Sequence, residues 1–142
     1  MEITRLAPIG TAFLELLKAR WPGFVEHANV DESGSLVVTV PSPHRPDGAA
    51  LIITADADCD EVIVAFGGGH SHGGPWLDHG DLDYQFQATT RFIDDLLSER
   101  VVGCSLRGGG GAIGYLDQAR SASWWNDVQA IRSWCGSHDW DA

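Results

Sequence analysis

The run Gly67 to Asp81 follows an apolar, strand-like stretch and holds three of the chain's six histidines, His70, His72 and His79, with Asp78 and Asp81 beside them. The spacing His70-x-His72 sets both imidazoles on one side of an extended segment. His79, Asp78, Asp81 or Asp83 could complete a tetrahedral nitrogen and oxygen set of the kind that suits zinc. In a catalytic version of that site, Asp78 or Asp81 would act as general base on a metal-bound water, giving a metal-dependent hydrolase. The same residues also serve two other readings. The glycines let the chain leave a sheet, and Pro75-Trp76 can fold a loop back whose histidines satisfy its backbone. An exposed loop carrying His70, His72, Trp76 and His79 is equally a recognition surface, because aromatic anchors dominate interface energetics.

A literal Gly-x-Ser-x-Gly spans Gly69-His70-Ser71-His72-Gly73. This string resembles the nucleophile elbow of bacterial lipases in the α/β-hydrolase family, which implies Ser71 as nucleophile, with Asp94, Asp95 or Asp117 as acid and His138 as base. The context departs from that family. Two extra glycines separate strand from motif, and the alternating strand and helix units of a hydrolase sheet are missing around it.

Composition narrows the field. The 142 residues carry a formal charge of -11, and 44% are hydrophobic, which suits one domain over 1–142 with its own core. Asp56 to Glu61 contributes four acids and no base, and Asp78 to Glu99 contributes six acids against Arg91. Such a field repels nucleic-acid phosphates and anionic lipid and speeds encounter with basic proteins, so the expected partner is a basic protein rather than nucleic acid or membrane. The apolar runs are too short to span a bilayer and no leader pattern opens the chain, so a cytoplasmic protein is expected. Cys59, Cys104 and Cys135 are odd in number and widely spaced, which predicts buried, reduced, inert thiols.

The elements that must position these residues follow from periodicity. Ile9, Phe13, Leu16, Leu17 and Trp21 share a helical face, and Pro22-Gly23 ends it. Phe24 to Val30 and Leu36 to Val40 form a predicted hairpin about Asp31 to Gly34; Ala50 to Thr54 and Glu61 to Phe66 form a second about Ala55 to Asp60. Leu82, Phe86, Thr89, Ile93, Leu96 and Leu97 predict a strong amphipathic helix with Asp81 as its cap. Val101 to Leu106 and Ala112 to Leu116 pair across Arg107 and four glycines, a hairpin rather than a phosphate loop, since the Gly-Lys-Ser/Thr ending is missing. For residues 124–135 helical and alternating patterns compete; a final strand preceded by a helical turn at Trp124 and Trp125 is expected. The fold expected is α+β, a mainly antiparallel sheet of about six or seven strands with two principal helices packed on it.

Six tryptophans are many for this length, and Trp124, Trp125, Trp134 and Trp140 lie near the C-terminus. Trp140 is placed to be exposed and to make a carbohydrate or protein contact. Three segments within roughly residues 61–139 resemble a loosely defined group of short bacterial proteins with no established activity: the histidine pair His70 and His72, the segment Leu96 to Val102 with its Ser-Glu-x-Val-Val pattern, and the Arg132-Ser133-Trp134-x-Gly136-x-x-Asp139 tail. By size, acidity and architecture, that group looks like the immunity proteins that accompany bacterial toxins, an analogy of class that carries no catalytic residue over. It implies a binding or inhibitory role and a strand at the Arg-Ser-Trp segment. The candidate binding set is accordingly His70, His72, Trp76, His79, Trp134 and Asp139.

Overall fold

Proline is well suited to the first turn of a helix, where its fixed φ is pre-organised and its missing N–H costs nothing, and Pro8 occupies that place. The computed structural model describes residues 1–45, 48–72 and 82–142. Helix α1 spans Pro8–Arg20 and ends where the Trp21 N–H donates to the Leu17 carbonyl and Pro22 follows. It buries Ile9, Phe13, Leu14 and Leu17. Leu14 thus takes the place expected of Leu16, which is half-buried; Gly10 also faces the sheet, and its lack of a side chain brings the helix close to Leu36.

Five strands follow in a meander: β1 Ala28–Val30, β2 Leu36–Pro41, β3 Ala50–Asp56, β4 Glu61–Phe66 and β5 Gly69–His72, every neighbouring pair antiparallel. Alternation selects the inner face. Leu36, Val38, Leu51, Ile53, Ala55, Val62, Val64 and Phe66 are buried, and α1 packs over β2 and β3. Helix α2, Leu82–Leu97, lies against β4 and also touches β6, Val101–Leu106. A second antiparallel sheet contains β6, β7 Gly111–Tyr115, β8 Val128–Arg132 and β9 Trp140–Asp141, in the order β7-β6-β8-β9.

The single sheet of about six or seven strands is therefore corrected to two sheets, of five and four strands, among the described residues. Three local differences accompany this. Phe24 to His27 belong to a 3-10 helix, Pro22–His27, because Pro22 directs the chain into a tight turn, and β1 keeps only three residues. Gly69–His72, read as loop, pairs with β4 as β5. Leu116 starts a short helix, α3 Leu116–Ala119, rather than ending a strand. The expected turn at Trp124 and Trp125 is a 3-10 helix, Ser123–Asp127, leading into β8; the strand stops at Arg132, one residue before Ser133-Trp134.

The sheets meet where β4 turns into β5. A side chain on Gly103 would overlap the Phe66 carbonyl, and one on Gly111 would overlap the Gly68 carbonyl. Glycine at these places allows backbone-to-backbone contact that any larger residue forbids. β6 consequently serves two cores: Val101 joins the helix-covered cluster, while Val102 and Cys104 pack with Leu116, Val128 and Ile131. No helix among the described residues is long and apolar enough to cross a membrane. Cys104 is buried, but Cys59 and Cys135 are exposed, because both sit in turns rather than on an inward strand face.

Candidate functional site

Aspartate readily folds a turn about its own carboxylate. Asp31 Oδ1 accepts the N–H groups of Ser33 and Ser35, each at 2.9 Å, and the Ser33 hydroxyl at 2.7 Å. The buried Ser35 hydroxyl then accepts the Ala57 N–H at 2.8 Å, which ties the β1–β2 turn to the β3–β4 turn. There Asp56 Oδ1 accepts the Asp58 and Cys59 N–H groups at 2.8 and 3.1 Å. One end of the five-stranded sheet thereby carries Asp31, Glu32, Asp56, Asp58, Asp60 and Glu61, from turns more than twenty residues apart. Two titrating groups at this end shift in opposite directions, one through hydrogen bonds and the other chiefly through charge. The Ser33 hydroxyl bond holds the Asp31 carboxyl below its ordinary range, and Asp56, with burial, Glu61 and Asp58 behind it, pushes the Cys59 thiol up. Arg5 reaches this end, with a long 3.5 Å bond to the Glu32 carbonyl, and pairs with Glu2.

Of the histidine pair, His72 borders the same end, while His70 lies nearer the glycine junction. In β5, Gly69 is buried while His70 and His72 point outward, opposite Ala65 and Ile63 of β4. Their ring centroids lie 5.0 Å apart, edge to face. His72 Nδ1 is 2.8 Å from Glu61 Oε1, a partner that sequence spacing did not reveal because strand register supplies it. Trp76, Asp78, His79 and Asp81 lie outside the described residues. Among the described residues, no group of three or more histidine, cysteine, aspartate or glutamate side chains is arranged to hold a metal ion. Ser71 sits inside β5, paired with Val64, and its hydroxyl donates to the His72 carbonyl at 3.4 Å. Of the acids considered for it, Asp94 pairs with Arg20, while Asp95 accepts the Tyr115 hydroxyl at 2.7 Å. Burial, then that bond, pushes Tyr115 up to about 12.

The tail residues are engaged with their own chain. Asp139 Oδ2 accepts the Arg45 Nε–H at 2.9 Å, and its Oδ1 accepts the Ser133 N–H at 2.8 Å. Trp134 packs on Phe66 with centroids 5.8 Å apart, and its carbonyl accepts the Ser42 hydroxyl at 2.9 Å. Glu99 Oε1 accepts the N–H groups of Cys135 and Ser137 at 2.8 and 3.2 Å. Burial acts to raise the Glu99 carboxyl, but the bonds from Ser137, Cys135 and Ser133 together outweigh it and lower the net value. Arg45 and Glu99 were missed as partners of this tail: one lies in a proline-rich loop and the other closes α2, and no spacing relates either to residues 133–139.

The histidine edge and the tail nevertheless share a cavity. His70, Gly67 to Gly69, Ser105 and Arg132 line a groove of about 580 Å³ beside Ile52 and Ala65. Arg132 is held at its wall by Asp141, Nη2 to Oδ1 2.7 Å, so the groove presents little uncompensated charge. No protein-family model, curated protein or solved structure matches the chain. Function has to be read from the side chains themselves.

Proposed function

We propose that the chain is a binding protein of immunity type that masks a basic protein partner through the acidic end of its five-stranded sheet, with the His70 and His72 edge at the border. The observation that carries this reading is the Ser35 to Ala57 hydrogen bond, which joins two separate acidic turns into one face. Asp31, Glu32, Asp58 and Asp60 are exposed there. Carboxylates held by short turn bonds lose little freedom when a lysine or arginine approaches, and summed charge of one sign raises the encounter rate.

The test uses immobilised protein and a charge-reversed form, Glu32→Lys, Asp58→Lys, Asp60→Lys, exposed to basic proteins of the same cell at low salt. A partner retained by the parent chain alone, with affinity that falls steeply as salt rises, supports the reading. Equal retention by the charge-reversed chain, or none by either, removes it.

A second reading has its own observation. The two outward imidazoles 5.0 Å apart beside the Glu61 carboxylate are a partial nitrogen and oxygen set, to which His79 and Asp78 would add in a zinc-binding or hydrolytic site. Metal analysis of tag-free protein and of the His70→Ala, His72→Ala variant decides it: about one zinc per chain, lost in the variant, supports this reading, and no metal in either removes it.

A further inference from the structure

Arginine in an acidic protein ordinarily finds a carboxylate. Of the nine lysines and arginines, Arg5, Lys18, Arg20, Arg45, Arg100 and Arg132 each have one within ion-pair distance. Among the described residues no ion pair is formed by Arg91, Arg107 or Arg120, and Arg107 and Arg120 converge on one cleft of about 500 Å³. The remaining polar lining includes His138, Asn126 and Asp139, and the aromatic lining is Trp125 and Trp140. Its floor is apolar: Leu116, Val128 and Ile131 are all less than a tenth exposed.

The fold builds this cleft deliberately from distant segments. The Arg107 N–H donates to the Asp127 carbonyl at 2.9 Å, fixing the start of the β6–β7 turn against the Ser123–Asp127 helix that carries Trp125 and Asn126. Arg120 caps α3, and Trp140 is brought in by the pairing of β9 with β8, opposite Ile131. The lining carboxylate is already spent: Asp139 is only 10% exposed at its side chain and is bonded to Arg45 and Ser133, so among the described residues Arg107 and Arg120 keep no ion-pair partner. Trp140 remains 48% exposed at the rim.

We propose that this cleft binds a small phosphorylated aromatic ligand of the nucleoside monophosphate class, with the base against Trp125 and Trp140 and the phosphate on Arg107 and Arg120. Guanidinium groups offer the forked donor pairs that phosphate accepts, indoles are good stacking partners for an aromatic ring, and His138 and Asn126 add hydrogen-bonding groups to the lining. The volume falls within the roughly 300–1,000 Å³ typical of small-molecule sites. The acidic turns stand at the other end of β4 from the junction with the second sheet, and their field is damped over a Debye length of about 8 Å at physiological ionic strength. The site is independent of the acidic face and of any partner held there.

The experiment is calorimetric titration, with tryptophan fluorescence in parallel, of the full chain with adenosine monophosphate and uridine monophosphate. Adenosine, inorganic phosphate and benzoate are the comparison ligands. The expected result is saturable one-to-one binding of a monophosphate, weakened roughly tenfold or more by Arg107→Gln, Arg120→Gln, with adenosine and phosphate alone each far weaker. Both arginines are exposed, so the variant should keep the parent's circular dichroism and melting temperature; an Arg91→Gln control should bind as the parent does. Absence of saturable monophosphate binding, or equal binding by the double variant, overturns the proposal. Phosphate binding as tightly as the monophosphates overturns the aromatic half of the assignment, and tighter binding of benzoate overturns the phosphate half.

Discussion

Gly103 of β6 lies directly against the carbonyl of Phe66, the last residue of β4, leaving no room for a side chain between the two sheets. Gly103→Ala should therefore force the sheets apart and lower stability by about 2 kcal/mol or more. Gly114, in the neighbouring β7, has open space where a methyl would go, and Gly114→Ala should be neutral or stabilising by about 0.5 kcal/mol. Urea unfolding midpoints of the two variants check this; equal losses would mean that the seam is no tighter than the rest of the sheet.

Thr89 is 4% exposed on the inner face of α2, and its hydroxyl is the one buried side-chain polar atom among the described residues without a hydrogen-bond partner. Thr89→Val keeps the shape and removes the unsatisfied group. Thermal unfolding should show a gain of about 1 kcal/mol. A loss would indicate that the hydroxyl is satisfied in solution.

Glu99 joins the end of α2 to the tail, and its carboxyl titrates below the ordinary glutamate value because its hydrogen bonds outweigh burial. A folded-state pKa that is lowered gives stability present above the unfolded value, near about 4.3, and lost as pH falls through the lowered one. Glu99→Gln should cost about 1 kcal/mol at pH 7, after allowance for its exposure, and less at an acidic pH below the ordinary glutamate value. Denaturant titrations at the two pH values supply the measurement. A difference that stays constant would place the effect in shape rather than charge.

Cys59 reports the field of the acidic end, since Asp56 is the largest of the influences that raise its thiol. Asp56→Asn retains an oxygen for the Asp58 and Cys59 N–H groups while removing the charge. In a Cys135→Ser background, alkylation of Cys59 by iodoacetamide near neutral pH should speed up about two- to threefold in the asparagine variant, because more of the thiol is ionised. An unchanged rate would show that the carboxylates do not act on the thiol.

Much of the local structure was legible because its signals are local. The 3.6-residue period of Ile93, Leu96 and Thr89 places α2, the turn residues Asp31 to Gly34 place the first hairpin, and alternating Val62, Val64 and Phe66 place β4. Phe24 and Val25 misled, since a β-rich composition was overruled by the turn that Pro22 begins. The Gly69–His72 strand was hidden in the glycine-rich run: its own side chains carry little apolar signal, and its identity as a strand comes from the β4 backbone beside it.

The charge, the two long helices, the antiparallel meander and the adjacency of His70 and His72 are legible in the amino-acid order, because all are properties of residues near one another along the chain. Folding in three dimensions is what brings Glu61 to His72, unites two acidic turns through Ser35, ties Asp139 to Arg45 and sets Arg107 and Arg120 on one cleft. The physical reason is that each of these depends on strand register or on close approach between backbones. A shift of one residue in register reverses the face of every side chain, and the seam at Gly103 and Gly111 divides the strands into two sheets through contacts that no local periodicity encodes.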